Sequence, residues 1–410
     1  MNGRTDLPRR AGTNRTMRRL PFEYSVRNLG RSPLRLSLAF AGALLVAALA
    51  TAAAALLLGM DRALSASALH ANAIVLGSGS EESLERSEIQ PAVASILAAS
   101  VPGIPAIAGT ALVSPEAVMA LPVEIGDDPE PRRALVRGVE PAALLLHPGV
   151  RVVEGRFPER GASDLAGEAM VGLRAERQLA LPPGSLSLGT RVRIEGSEFV
   201  VVGRFEAPGS VMEPEIWAPL SDVLAAAKRT TISCVVVALD PEGGAALQDL
   251  AAFAARRLDL EIAVLSEEEY FASLRRFFAP LRWMIVVAAA LVAIGAVLGG
   301  LNTLHAAFAS RSREVGTLQA LGYGRGAVLL SFAQESLLLT AAASIAAVLL
   351  CRALLDGVGI AFSMGTFAFR VDATAVAAGL AAGLALALLG ALVSALASLR
   401  RTIPEALRAP

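Results

Sequence analysis

Long runs of apolar residues interrupt the chain at four places, and their length predicts helices that cross a membrane. The runs cover approximately residues 36–58, 280–304, 327–351 and 373–399. A membrane core requires roughly 20 predominantly apolar residues in one helix, because only a helix satisfies its own backbone hydrogen bonds in lipid. The composition agrees, since 54% of the 410 residues are hydrophobic and 18% are charged. We therefore predict an integral membrane α-helical protein with four transmembrane helices, one before a long polar segment and three after it.

The first apolar run also resembles a cleaved signal peptide in its position near the N-terminus. Its apolar stretch is longer than the roughly 7–15 residues of a signal peptide, and it starts late, behind an arginine-rich segment. We therefore expect an uncleaved first span.

The distribution of arginine predicts the orientation of these spans. Nine arginines lie in the first 35 residues, and only Asp6 and Glu23 oppose them: Arg4, Arg9, Arg10, Arg15, Arg18, Arg19, Arg27, Arg31 and Arg35. A disordered tail or a nucleic-acid-binding arm has a similar composition, but the adjoining apolar run favours a topology signal. Arginines also mark the loop near 311–325 and the tail. Both termini are therefore expected in the cytoplasm.

One group of arginines opposes this orientation. Arg275, Arg276 and Arg282 flank the outer end of the second span, where the positive-inside rule disfavours them. They follow a long translocated segment, where charge matters less, and their side chains can extend to the membrane interface.

Residues 60–279 have the pattern of an extracytoplasmic mixed α/β domain. Residues 191–203 form an alternating strand pattern, a glycine-containing turn and an apolar strand pattern, which together predict a β-hairpin, and residues 231–239 predict another strand. Helical patterns occupy 91–99, 220–228 and 244–258. A further helix is predicted over 266–278, with Ser266 as its N-cap, and it leads directly into the second span.

The candidate chemistry of this domain is sparse. His70, His147 and His305 lack ligand-like spacing, and Cys234 and Cys351 lie far apart in sequence, so we expect neither a metal site nor a disulfide. The acidic triplet 267–269 is typical of the first turn of a solvated helix, with a cation site as the alternative. No arrangement for nucleophilic catalysis is evident, so the chain is predicted to be non-catalytic.

A nucleotide-binding loop is also missing from the sequence. The phosphate-binding loop of ATPases requires a lysine followed by Ser or Thr after a glycine-rich turn. The sole lysine, Lys228, follows three alanines and precedes Arg229. Any ATP-driven work therefore requires ATP hydrolysis on another chain, and no cofactor is expected on this one.

A short amphipathic helix is predicted between the second and third spans. Val315, Leu318 and Leu321 share one helical face, and Gly322 is a suitable C-cap. This helix is either an interfacial helix without a partner or a rigid element on which a moving ATPase acts.

Two motifs carry a family resemblance. Residues 313–322, Arg-Glu-Val-Gly-Thr-Leu-Gln-Ala-Leu-Gly, are similar to the REIGxLRALG signature of FtsX/MacB-type ABC transporter permeases, and Ile403–Arg408 resembles that family's closing xPxEALR. Residues 26–35, Val200–Gly203 and Glu215–Leu220 resemble further family segments in the same order. The third span departs from the family pattern, because alanines at 341–347 stand where relatives often have glycines.

The resemblance implies specific domains and partners. Residues 60–279 would be a MacB-like periplasmic core domain, and 280–399 an FtsX-like permease domain. The partners would be an ABC-type ATPase that binds ATP and Mg, and a second permease copy in a homo- or heterodimer. The resemblance leaves open whether a periplasmic adaptor also binds. The implied coupling-helix residues are Arg313, Glu314, Val315, Gly316, Leu318, Leu321 and Gly322. The implied mechanism is mechanotransmission, in which ATP-driven closure moves the periplasmic domains.

Polar and small residues inside the spans are further candidates. Gln334 and Glu335 lie in the third span, where a carboxylate is costly, and either proton coupling or a structural hydrogen bond would explain it. Gly295 and Gly299 form a small-xxx-small face on the second span that suits dimerisation or internal packing.

Three functional hypotheses follow. The first is a permease subunit for efflux or for lipoprotein or lipid export. The second is an FtsX-like regulator of cell-wall hydrolases, and the third is an ATPase-independent membrane sensor or anchor. A domain of roughly 220 residues favours the MacB-like layout.

Overall fold

The chain forms two compact units in a computed structural model that describes residues 33–67, 72–107, 109–126, 128–161, 166–240, 245–309, 312–321, 323–362 and 365–399. The helical unit comprises Met1–Thr51, Val287–Cys351 and Ala373–Pro410. The sheet domain comprises Ala52–Val286 and Arg352–Asp372. Most of the predicted N-terminal segment, all of the predicted tail and His70 lie outside the described residues.

The helices of the described residues include four that are long and apolar enough to cross a membrane. The helices are α1 (Pro33–Ser67), α2 (Ala92–Ser100), α3 (Ala143–Leu146), α4 (Ala175–Gln178), α5 (Leu220–Ala226), α6 (Leu247–Arg256), α7 (Glu267–Phe277), α8 (Ala279–Ala309), α9 (Ser312–Ala320), α10 (Arg325–Leu354) and α11 (Ala373–Leu399). The four candidates are α1, α8, α10 and α11, which agree with the four predicted runs. In chain order α1 precedes most of the sheet domain, and the other three follow it.

A ten-stranded mixed sheet organises the sheet domain. Its strands are β1 (Asn72–Gly77), β4 (Val113–Ile125), β5 (Asp128–Val139), β6 (Arg151–Gly155), β7 (Gly167–Gly172), β8 (Arg191–Ile194), β9 (Ser197–Glu206), β10 (Ile216–Pro219), β11 (Cys234–Ala238) and β12 (Ile262–Ser266). The order is β12-β1-β11-β4-β5-β10-β7-β9-β6, and β8 pairs with β4 and β9. Two small hairpins, β2 (Ala106–Ile107) with β3 (Thr110–Ala111) and β13 (Gly359–Phe362) with β14 (Gly365–Ala368), complete the strands described.

The central strands bury both of their faces. On β1, Ala73 and Val75 belong to one core, whereas Ile74 and Leu76 belong to another. The first core packs against α2, α5 and α6, and the second packs against the end of α1 and against α7. Strands buried on both sides read as continuous apolar runs instead of alternating ones, so sequence periodicity overlooks them.

Several predicted elements of this domain are confirmed. The hairpin at 191–203 consists of β8 and β9, with positive φ at both Glu195 and Gly196, as a type I′ turn requires. Ser266 caps α7, because its side chain accepts the Glu269 amide while the Glu269 carboxylate accepts the Ser266 amide. The domain is richer in strands than predicted, since β1, β4, β5, β6, β7, β10 and β12 had no individual prediction.

Candidate functional site

The predicted coupling helix is present as α9, which follows α8 after a short connection. Gly316 is buried within the chain, Leu318 is half-buried, and the Leu321 side chain is 63% exposed. Gly322 lies outside the described residues, and for Arg313, Glu314 and Val315 the description is confined to their helical backbone. An exposed leucine at the end of a surface helix is available for contact with another protein.

Both polar residues of the third span are half-buried in α10. Neither Gln334 nor Glu335 is without an interaction partner. Proton coupling and a structural role both remain predictions for Glu335. The glycine face on α8 is different, because a Cβ placed at Gly295 or Gly299 would meet, beyond the backbone of α8 itself, no atom of the described part of the chain within 4 Å.

The close helix contacts of the helical unit lie instead on α11. A Cβ at Gly379 would lie 3.2 Å from the Ala47 carbonyl oxygen, and one at Gly383 would lie 3.0 Å from Ser344 Cβ. These glycines therefore allow α1 and α10 to approach α11, as small residues do in membrane helices. The spacing Gly379-xxx-Gly383 was readable in the sequence but was overlooked. In α10, Ala343 and Ala347 are fully buried, so alanines provide close packing in the third span, as expected.

A cluster of buried charges lies in the sheet domain, and the sequence analysis did not find it. The buried charge cluster consists of Glu116 on β4, Arg137 on β5, His147 after α3, Glu215 before β10, and Glu267 at the start of α7. Charged residues are almost never fully buried unless they are paired. Glu116 interrupts the largely apolar start of β4, and Arg137 lies between the apolar pairs Leu135-Val136 and Gly138-Val139 at the end of β5, which is the signal that could have indicated them.

Arg137 is the centre of this cluster. Its Nε and Nη2 donate to the two Glu215 carboxylate oxygens at 2.7 Å each, and its Nη1 donates to Glu116 Oε2 at 2.8 Å. His147 Nε2 lies 2.9 Å from Glu116 Oε1, and Trp217 Nε1 donates to Glu215 Oε2 at 2.8 Å. Each charged group therefore has charge-assisted hydrogen bonds that offset the cost of its burial.

The cluster shifts the pKa of several groups. Burial by itself raises the pKa of the Glu116 carboxyl. The combined effect of His147 and Arg137 is larger and opposite, so the pKa falls from 4.5 to about 2. At Glu267 the effect of burial exceeds the opposing effects of His147 and Asn72, and the pKa of this carboxyl is raised to about 7. Glu85 also has a pKa raised to about 7 by burial, and its Oε1 has no hydrogen-bond partner among the described residues. Glu85, His147 and Glu267 line a common cavity of about 40 Å³.

The buried position of Glu267 corrects the prediction that all three residues of the acidic triplet 267–269 are solvated. Glu268 and Glu269 are exposed, as expected for a solvated first turn, but Glu267 is only 2% exposed. The first position of α7 faces β1, because α7 packs against that strand with Tyr270, Phe271 and Leu274. Glu267 therefore lies in the core, whereas Glu268 and Glu269 contact solvent.

Both connections between the apolar helices and the sheet meet at this cluster. Asn72 begins β1, the strand after α1, and its side-chain amide donates to Glu267 Oε2 at 3.2 Å and to the Leu146 carbonyl at 2.9 Å. Glu267 begins α7, which is separated from α8 by Phe278 alone. Both connections therefore end at the buried charge cluster of the sheet domain.

Two of the three arginines that opposed the predicted orientation have partners in the sheet domain. Arg282 forms two hydrogen bonds with the Asp61 carboxylate, at 2.8 and 3.0 Å, and Arg275 donates to Ser65 Oγ at 3.2 Å. These contacts join the end of α1 to α7 and the start of α8.

Comparison with known proteins identifies the family. The MacB-like periplasmic core domain matches residues 37–253, which is more than half of the chain. The chain belongs to the FtsX/MacB-type family of ABC transporter permeases. The FtsX-like permease C-terminal domain matches residues 286–403, which include α9 and α10. No curated protein sequence matches the chain significantly.

Solved structures similar to this permease cover its sheet domain. The periplasmic region of MacB from Actinobacillus actinomycetemcomitans is 13% identical, with a TM-score of 0.38, over 52% of this chain and 95% of that one. The extracellular domain of the noncanonic ABC-type transporter YknZ from Gram-positive bacteria is 14% identical, with a TM-score of 0.36, over 47% of this chain and 99% of that one.

Membership in the family determines the broad class of this protein. It is a permease of the ABC transporter type and a multi-pass protein of the bacterial inner membrane, with a MacB-like extracytoplasmic domain. Permeases of this family work in complexes with ATPases and are typically non-catalytic themselves.

Proposed function

We propose that this permease receives mechanical work from a separate ATPase at α9 and transmits it to the sheet domain. The observation that carries the proposal is α9 itself, a short helix between two apolar helices at the position of the family's signature motif. Its exposed Leu321 provides an apolar contact for a partner. ATP and Mg would bind the ATPase and not this chain.

The proposed topology places one span before the sheet domain and three after it, with both termini in the cytoplasm. The arginines of the N-terminal segment, the α9 loop and the tail support this orientation. The sheet domain then lies outside the membrane on the periplasmic side. A second copy of the permease would complete the membrane part of the assembly, with each copy docking one ATPase.

Motion would reach the sheet domain through its two connections. A displaced α8 moves α7, and a displaced α1 moves β1, and both connections end at the buried charge cluster. Charge-assisted hydrogen bonds within a tightly packed core resist distortion, so the domain would move as a body. Such motion suits efflux from the periplasm or export of a lipoprotein or lipid, in which the sheet domain acts on cargo outside the membrane.

The decisive test is co-purification with the ABC-type ATPase encoded nearest to this gene. We expect wild-type protein in detergent to retain the ATPase, and Leu321→Asp to lower the retained amount at least tenfold, because a carboxylate would be desolvated in the contact. Glu314→Lys should act in the same direction.

The matched control is Leu258→Asp, which makes the same change at a leucine of the sheet domain that is 79% exposed. That variant should retain the ATPase at the wild-type level. Equal retention by Leu321→Asp and Leu258→Asp would remove α9 as the docking site. Failure of wild-type protein to bind any ATPase, with or without nucleotide, would favour a sensor or anchor.

A further inference from the structure

A second cavity of the sheet domain, of about 40 Å³, has the composition of an anion site. Three arginines from separate segments line it: Arg62 at the end of α1, Arg174 between β7 and α4, and Arg370 before α11. The cavity also includes Glu213 and the backbones of glycines such as Gly209. A single water needs roughly 10–15 Å³ of such space, so a tetrahedral oxyanion can enter.

The charges in this cavity do not cancel. Arg174 Nε pairs with Glu213 Oε2 at 3.1 Å, and Arg62 pairs with Asp372. Arg370 is exposed and has no side-chain hydrogen bond or ion pair among the described residues. Glu213 compensates Arg174 and Asp372 compensates Arg62, so Arg370 remains as the uncompensated cation among the residues that line the cavity. Guanidinium groups bind phosphate oxygens with paired hydrogen bonds, so phosphate is the anion that suits them.

The position of the cavity along the chain indicates where that phosphate comes from. The apolar run of the first span ends at Met60, just before Asp61 and Arg62, and the last span begins at Ala373, just after Asp372. Charged residues at the ends of spans lie at the depth of the lipid headgroups. Arg62 and Arg370 therefore occupy the layer in which phospholipid phosphates are concentrated.

We propose that this cavity binds a phosphate group, presented by a phospholipid headgroup at the membrane surface or by a soluble phosphate. Arg370 would supply the uncompensated charge, and Arg174 and Arg62 would orient further oxygens. The inference depends on the cavity and on the spans, and it does not require that an ATPase docks at α9.

The test measures ligand retention by the full-length protein in a phosphate-free, non-ionic detergent, using native mass spectrometry. The probes are phosphatidylglycerol, diacylglycerol, which lacks the phosphate, and inorganic phosphate. We expect retention of phosphatidylglycerol and not of diacylglycerol. Displacement of the lipid by millimolar inorganic phosphate would assign the site to soluble phosphate, whereas retention of the lipid under those conditions would assign it to the headgroup.

Variants connect the binding to the cavity. Arg370→Gln should lower phosphatidylglycerol retention at least fivefold, Arg370→Lys should restore part of it, and Glu213→Gln should raise it by removing the opposing carboxylate. The control is Arg191→Gln, an exposed arginine of β8 that pairs with Glu198. Because the Arg370 side chain has no partner among the residues that the structure describes, its variant should melt at the wild-type temperature. Equal retention by wild type and Arg370→Gln, or equal retention of both lipids, would overturn the proposal.

Discussion

The interior of the sheet domain and the interior of the helical unit are packed with different kinds of side chains. The largest fully buried side chains include Trp217, Phe199 and Phe205 of the sheet domain, whose core also encloses the paired charges around Arg137. In the helical unit, the close contacts involve glycine, alanine, serine and threonine. There Thr51 and Ser344 donate to carbonyls four residues earlier in their own helices, at 2.7 Å each.

This difference follows from the two solvents. In water, burial of large apolar groups drives folding, at about 25 cal/mol per Å². In lipid, helices gain nothing from moving apolar groups away from the solvent, so their association depends on close van der Waals approach. Small contact surfaces of this kind allow helices to change their packing, whereas a core with fixed charge pairs resists change. The contrast agrees with the function proposed above, in which the spans would move and the sheet domain would follow as a body.

The largest effect is expected from breaking the buried charge cluster. Arg137→Ala would leave Glu116 and Glu215 buried without their shared cation, and the loss of one partner from a buried pair costs about 3–5 kcal/mol of unfolding free energy. Denaturant unfolding of the full-length protein would measure this cost. Arg193→Ala, which breaks the exposed pair with Glu124, should cost less than about 1 kcal/mol.

A combined variant separates charge from packing at the same site. Arg137→Met with Glu116→Gln and Glu215→Gln removes every charge of the pairings and keeps much of the volume. It should recover a large part of the stability lost in Arg137→Ala. If Arg137→Ala and Arg193→Ala cost the same, the cluster does not hold the sheet domain as described.

A smaller, pH-dependent effect is expected at Glu267. Its pKa in the folded protein is about 7, above the ordinary value of 4.5, because burial disfavours the charged form. The neutral form therefore stabilises the fold at low pH, and this stability is lost as pH rises from about 4.5 through 7. A shift of this size corresponds to roughly 3 kcal/mol for a buried group. Asn72, His147, Arg137 and Glu116 surround this carboxyl, and all four are present in the wild type and in a Glu267→Gln variant.

The measurement is the melting temperature of wild type and Glu267→Gln at pH 5 and pH 8. Glutamine mimics the neutral carboxyl, so the variant should lose less stability than wild type over this range. Glu268→Gln, at the exposed neighbouring position, should show the wild-type pH dependence. A pH dependence unchanged in Glu267→Gln would contradict a raised pKa at this carboxyl.

The smallest effect is expected in the helical unit. Gly383→Leu would force a side chain against Ser344 and push α10 from α11, and overpacking of this kind costs about 1–3 kcal/mol. Gly295→Leu adds the same side chain at a position where the new Cβ has no neighbour within 4 Å among the described residues outside the α8 backbone. Melting in detergent should therefore fall for Gly383→Leu and stay unchanged for Gly295→Leu. A matching fall in Gly295→Leu would show that a second molecule packs on α8.

Much of the fold was predictable where the signal is local. The hairpin of β8 and β9 depends on alternation and on the Glu195-Gly196 turn, and the start of α7 depends on Ser266 and Glu269, three residues apart. The position of α9 followed from a short apolar face. By contrast, β1 and β4 were overlooked, because strands buried on both faces lack the alternation that marks a strand.

The four long apolar helices, their order along the chain and the family motifs were determined by the sequence itself, because roughly 20 apolar residues suffice for a spanning helix in any context. The tertiary structure alone decided which charges are buried and paired. Glu116 and Glu215 lie 21 and 78 positions from Arg137, and they meet because β4, β5 and β10 are neighbours in the sheet. The same holds for Arg62, Arg174 and Arg370, since only folding brings three distant segments around one cavity.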